Sequence, residues 1–211
     1  DVLNSIDVQD AWDRYEGKSE LEAVDQFQIQ NTKFSPDGSQ FLFVFTNEVY
    51  RRAAPAPDAR RNKALYLADA DGTNVRFLGD FMHHPIWAPD GRSVLAMDAA
   101  AGAHEQDLAR YPLDGEKHVI VENALGVHGS PHPDGRRMVI DAFGRPREGM
   151  CQLLMYDLET GKFDEIAEFP HHALAHTTGH HPHPVWSRDA KSLYFNAMDT
   201  GLCQVYRMDV D

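Results

Sequence analysis

The sequence predicts an all-β fold: about four blades of a β-propeller that has seven when whole. Three observations predict it. An aromatic or Pro anchor followed by a tight turn occurs four times, as Phe34-Ser-Pro-Asp-Gly38, Trp87-Ala-Pro-Asp-Gly91, Pro131-His-Pro-Asp-Gly135 and Trp186-Ser-Arg-Asp-Ala190. The anchors at 34, 87, 131 and 186 are 53, 44 and 55 residues apart, the period of propeller blades. Short apolar runs separated by turn residues follow every anchor, the pattern of several short strands per repeat.

The elements follow in order. Residues 1–30 hold a helix from Val8 to Tyr15 and a strand over Phe27-Gln-Ile-Gln30. Each of the first three anchors then enters an Asp-Gly turn, where glycine supplies the positive φ, and the fourth has Asp189-Ala190 in its place. A first apolar strand comes next: Gln40-Phe-Leu-Phe-Val-Phe45, Ser93-Val-Leu-Ala-Met97, Arg137-Met-Val-Ile140 and Ser192-Leu-Tyr-Phe195. A second ends near Asp, over residues 64–69, 108–114, 153–157 and 205–209, with Cys151-Gln152 aligning on Cys203-Gln204. A third covers 75–78, 118–121 and 163–166. One blade buries little by itself, so the core comes from stacking on neighbours. The chain is expected to be one propeller domain over residues 1–211, incomplete at its N-terminus.

Composition narrows the function. Hydrophobic residues make up 42% of the 211, enough for a sizeable core, and the formal net charge is -13. That balance argues against nucleic acid and an anionic membrane surface as partners. No apolar run approaches the roughly 20 residues of a membrane helix. Two cysteines, Cys151 and Cys203, do not make a disulfide framework. Oligomeric state and compartment, bacterial cytoplasm or periplasm, stay open.

Two insertions break the rhythm, and long loops on a regular scaffold concentrate binding residues. Residues 51–63 carry Arg51, Arg52, Arg60, Arg61 and Lys63 against Asp58 alone. In so acidic a chain this is either a solvated loop or a clamp for an anionic substrate, since Arg pairs carboxylates in bidentate fashion. Residues 170–183 are rich in histidine: His171, His172, His176, His180, His181 and His183.

Three residues before the anchors stand Asn31, His84, His128 and His183. Repeat equivalence allows these side chains to converge. In an extended His181-Pro-His183 both rings face one side, with His128 reaching the same point from the neighbouring blade. Three neutral imidazoles with an open position suit a divalent ion such as Mn or Zn. Alternatively, the histidines cap loops or bond backbone. Cys151 is a further candidate ligand, against a packing role shared with Cys203.

With those residues in place, the chain resembles the oligogalacturonate lyases, propeller enzymes with TolB/WD40-like blades. The resemblance rests on His84 three before Trp87, His128 before the next anchor, His181-Pro-His183 before the last, and Phe45-Thr-Asn-Glu48 at a strand end; it covers about residue 25 to 211. It implies a divalent metal, usually Mn²⁺, held by His128, His181 and His183, and β-elimination on an anionic oligosaccharide, with His84 essential. Arg60 and Arg61 are then catalytic candidates, and Arg51, Arg52, His83 and Asn31 substrate-binding candidates. The chain departs from the family at Thr178, where a Gln ligand is expected, and at Ala64, where an essential Arg is expected. Ulvan lyases, whose His-rich site includes a Cys, are a related alternative through Cys151. A non-catalytic TolB-like binding module is another. The propeller of a prolyl-oligopeptidase-type peptidase is weaker, because no Gly-x-Ser-x-Gly occurs.

Overall fold

The computed structural model describes residues 28–46, 63–80, 82–99, 106–143, 147–170, 181–198 and 200–210, together with Gln9. The helix expected from Val8 to Tyr15 lies outside them except at Gln9. The strands, in chain order, are β1 (Gln28–Phe34), β2 (Gln40–Thr46), β3 (Lys63–Asp69), β4 (Arg76–Asp80), β5 (Met82–Trp87), β6 (Ser93–Ala99), β7 (Gln106–Pro112), β8 (His118–Val121), β9 (Gly129–Pro131), β10 (Arg137–Phe143), β11 (Met150–Asp157), β12 (Phe163–Pro170), β13 (Val185–Trp186), β14 (Ser192–Ala197) and β15 (Gln204–Asp209). They form four sheets: β1-β2-β3-β4, β5-β6-β7-β8, β9-β10-β11-β12 and β13-β14-β15. This is the blade architecture of a β-propeller. No helix among the described residues is long and apolar enough to cross a membrane.

Every blade begins with a strand that ends at or beside its anchor, and in blades 2 to 4 the sequence reading passed over it. The reason is composition. Met82-His-His-Pro-Ile-Trp87 and Gly129-Ser-Pro131 carry Pro and His where strand propensity asks for β-branched and aromatic residues. Pro fits because these are edge strands, where a missing N–H costs little.

The four turns share one hydrogen-bond design. The residue closing each turn donates its N–H back three residues: Gly38 to Ser35 O, Gly91 to Ala88 O, Gly135 to His132 O and Ala190 to Ser187 O. The turn Asp then accepts the backbone N–H two residues on: Ser39 to Asp37, Arg92 to Asp90, Arg136 to Asp134 and Lys191 to Asp189. Hydrogen bonds from Ser35 and Ser39 hold the Asp37 carboxyl down at about 2. The closing residue needs positive φ in all four copies, 74° at Gly38, 66° at Gly91, 72° at Gly135 and 59° at Ala190.

Apolar cores join blade to blade. The chain divides into two compact units, Asp1–His104 with Ala109–His118, and Glu105–Leu108 with Val119–Asp211. In the first, Leu42, Val44, Leu65 and Leu67 of blade 1 pack on Trp87, Val94, Ala96, Ala109 and Tyr111 of blade 2. In the second, Val139 and Leu153 of blade 3 pack on Leu193, Phe195 and Ala197 of blade 4. Each fully buried Leu or Phe contributes about 1.5–3 kcal/mol. A repeated latch explains the anchor Trp. The Trp87 indole N–H donates to Lys33 O at 3.0 Å, and that of Trp186 to Ser130 O at 3.1 Å, in each case the residue before the preceding blade's anchor.

Ala190 is the one closing residue with a Cβ, and a left-handed Ala costs about 1–2 kcal/mol. Glycine removes that cost but loosens the unfolded chain by about 0.4–1 kcal/mol. Ala190→Gly should therefore stabilise the chain by about 0.5–1 kcal/mol, read as a rise in Tm. A fall in Tm would show that the Ala190 methyl contributes packing that outweighs its strain.

Candidate metal centre

The residue three before the anchor is set by a backbone irregularity. Asn31, His84 and His183 all take left-handed φ, at 55°, 49° and 45°. Pairing between β1 and β2 shifts register between Gln30 and Lys33, and between β5 and β6 from His83 to Ile86. A bulge of this kind re-aims the side chain it carries. Asn and His are among the non-glycine residues that tolerate left-handed backbone best. In blade 3 the left-handed residue is instead Gly126, at φ 103°.

His128 is positioned by its approach loop. The buried Tyr156 hydroxyl donates to Leu125 O and accepts from Leu125 N, both at 3.0 Å. Val127 N donates to Asp141 O at 2.8 Å. Between them the chain passes so close to β10 that a Cβ on Gly126 would lie 2.4 Å from Ile140 Cγ2 and 2.7 Å from Asp141 O.

Asp141, wholly buried, is the hub of the site. Its Oδ1 accepts from His128 N at 2.8 Å, its Oδ2 from His183 N at 3.0 Å. His128 Nδ1 lies 2.9 Å from Oδ2 and 3.1 Å from Oδ1. A carboxylate can only accept here, so a neutral His128 ring carries its proton on Nδ1 and keeps its lone pair on Nε2. Asn196 of β14 fixes the other histidines' segment: its Nδ2 donates to His181 O at 3.2 Å, its backbone N to Pro182 O at 2.8 Å.

The result is one cluster. His128, buried, His181, half-buried, and His183, exposed, bring one nitrogen each within 4.8 Å of one another. Ring centroids are 3.8 Å apart for His128–His183, 5.1 Å for His128–His181 and 5.9 Å for His181–His183. Neutral imidazole is a common donor to divalent first-row ions. A second hydrogen bond from imidazole to carboxylate is the usual arrangement behind a metal-bound histidine. The donor set therefore fits a divalent cation with coordination positions left over. Residues 181–184 are not a strand and His183 is left-handed, so the two rings meet through local backbone shape, not the two-residue alternation of an extended segment.

The remaining candidates are placed as follows. His84 lies in the first unit, half-buried at the β5 bulge; His83 precedes it in β5, and Asn31 holds the equivalent bulge in β1. Arg51, Arg52, Arg60, Arg61, His171, His172, His176, Thr178 and His180 lie outside the described residues. Ala64 pairs with Phe45 and Asp80 inside the first blade. Cys151 is not part of the converging set; it is buried in β11, and burial, with Asp141 nearby, pushes its thiol up to about 12. Its repeat mate Cys203 is exposed. Asp141 and Asn196 were missed by the sequence reading. The available signal was a polar residue at one position of an otherwise apolar strand.

No protein-family profile and no curated protein sequence matches this chain. Solved structures do. An oligogalacturonate lyase in complex with manganese aligns with TM-score 0.65 and 19% identity over 87% of this chain and 49% of its own. An oligogalacturonate lyase from Vibrio parahaemolyticus aligns with TM-score 0.63 and 13% identity over 90% of this chain and 68% of its own. TolB from Acinetobacter baumannii aligns with TM-score 0.59 and 15% identity over 98% of this chain and 59% of its own. The likeness is one of fold, a TolB-like propeller, and the chain spans about half the length of the first of these proteins.

Gly126→Ala combines forbidden contacts with an unfavourable φ and should cost about 2–4 kcal/mol, measured by thermal or urea unfolding. An unchanged Tm would mean that the loop into His128 is not held against β10 as described.

Proposed function

We propose that the chain is the metal-binding part of a lyase that cleaves uronic-acid oligosaccharides, of oligogalacturonate type, by β-elimination. The observation that carries this reading is the convergence of His128, His181 and His183 on a propeller scaffold. The fold likeness to a manganese-bound oligogalacturonate lyase supports it and favours Mn²⁺, with Zn²⁺ as the second choice. When bound, a divalent cation held by these three residues would supply a Lewis acid for the substrate carboxylate.

The chain's own residues do the rest. Elimination from a 4-linked uronide removes the proton α to the carboxylate and expels the 4-linked oxygen. A base that titrates near neutrality suits that proton, and His84 is assigned the role. Its bulge fixes the backbone from which the ring projects. Arg60 and Arg61 are assigned as further catalytic residues, and Arg51, Arg52, Asn31 and His83 as residues that bind the anionic sugar. Guanidinium groups do this through paired hydrogen bonds to carboxylate. Because Ala64 stands where the lyases have an essential Arg, the basic loop supplies the charge in its place.

A second reading, a non-catalytic TolB-like binding module, is favoured by the TolB likeness and by Ala64 itself. Metal analysis separates the two: the lyase reading expects about one equivalent of divalent cation per chain, the module none. On a panel of uronides, absorbance of the new double bond reports turnover. His84→Ala should lower it by about 10²–10⁴-fold while metal content stays constant. Undiminished turnover in that variant rejects His84 as the base.

A further inference from the structure

We infer that Asp141 is the positioning residue of the histidine centre, joining the His128 ring of blade 3 to the His183 backbone of blade 4 through one buried carboxylate; this rests on reading the centre as a metal site. The argument begins with register. Counting from the turns, Val44, Met97, Asp141 and Asn196 occupy the same place in β2, β6, β10 and β14. In blades 1 and 2 this place is a core position, with Val44 1% and Met97 2% exposed. In blades 3 and 4, which bear the converging histidines, it turns polar.

A carboxylate there costs free energy unless it is fully hydrogen-bonded. Asp141 is, and its partners are the point. It accepts from the imidazole Nδ1 of His128, from the backbone of His128 and from the backbone of His183. The first fixes ring orientation and tautomer, leaving Nε2 as the nitrogen able to donate to a cation. The other two tie the blade 3 and blade 4 donors to one rigid point. Asn196 completes the frame by holding the carbonyls of His181 and Pro182. Loop amides alone require only a carbonyl or hydroxyl acceptor; a carboxylate facing imidazole Nδ1 also raises the basicity of the donor on the far side of the ring.

Asn in this place keeps the shape but has one acceptor oxygen, and its NH₂ opposes one of the N–H donors. The test uses the full chain, with Co²⁺ as probe. Wild type and Asp141→Asn are compared by calorimetric titration, by the visible Co²⁺ spectrum and by ¹⁵N-histidine NMR of the metal-free protein at alkaline pH, with circular dichroism as the fold control. The expected result is Nδ1–H His128 in wild type, loss of that single tautomer in the variant, and Co²⁺ affinity weakened about 10- to 100-fold with an altered spectrum. Equal affinity and an unchanged spectrum in a folded variant overturn the inference and leave the metal reading standing. Absence of Co²⁺ binding by wild type overturns both. Should the variant not fold, wild type decides alone: His128 protonated on Nε2 refutes the assignment, and Nδ1–H upholds it.

Discussion

The buried carboxylate of Asp141 is the constraint on which the second unit's site depends. A charge without solvent contact must be met by donors from all sides. The donors available are an imidazole and two backbone amides, and all three belong to His128 and His183. The ring of His128 and the backbone of both histidines are thus held by satisfying one residue. Gly126 lets the loop come close enough for this to happen, and Tyr156 holds the loop there.

The repeat supplies the scaffold and single-residue exceptions supply the chemistry. The turns, the strand order and the Trp latches recur because blades solve the same packing problem. Left-handed residues three before the anchor recur in three of the four described blades. What differs is the side chain: Asn31 in the first, His84 in the second, His183 in the fourth. A backbone feature common to the blades thereby serves as a series of sites into which histidine can be substituted at little added strain.

Much of this was legible in the sequence, and the exceptions have physical causes. Pro-Asp-Gly turns and the apolar strands after them identified the blades, since turn chemistry and hydrophobic pattern are local signals. The edge strands before the anchors were obscured by Pro and His, residues that an edge tolerates and a propensity argument rejects. His128 and His183 stand out by repeat position, and His181 by its spacing to His183. Alternation along an extended segment does not bring the 181/183 pair together, because His183 is left-handed. Asp141 was overlooked because its significance is a three-dimensional relation between two blades, visible in sequence only as a polar residue where Val44 and Met97 stand in other copies.

The fold is shared with lyases and with TolB proteins, so fold alone does not decide chemistry. Metal-edge X-ray absorption on the full chain loaded with one equivalent of Mn²⁺ examines the histidine centre most directly. The account predicts the scattering signature of three imidazoles around a single ion. A shell of oxygen atoms alone, or a single imidazole, would contradict it.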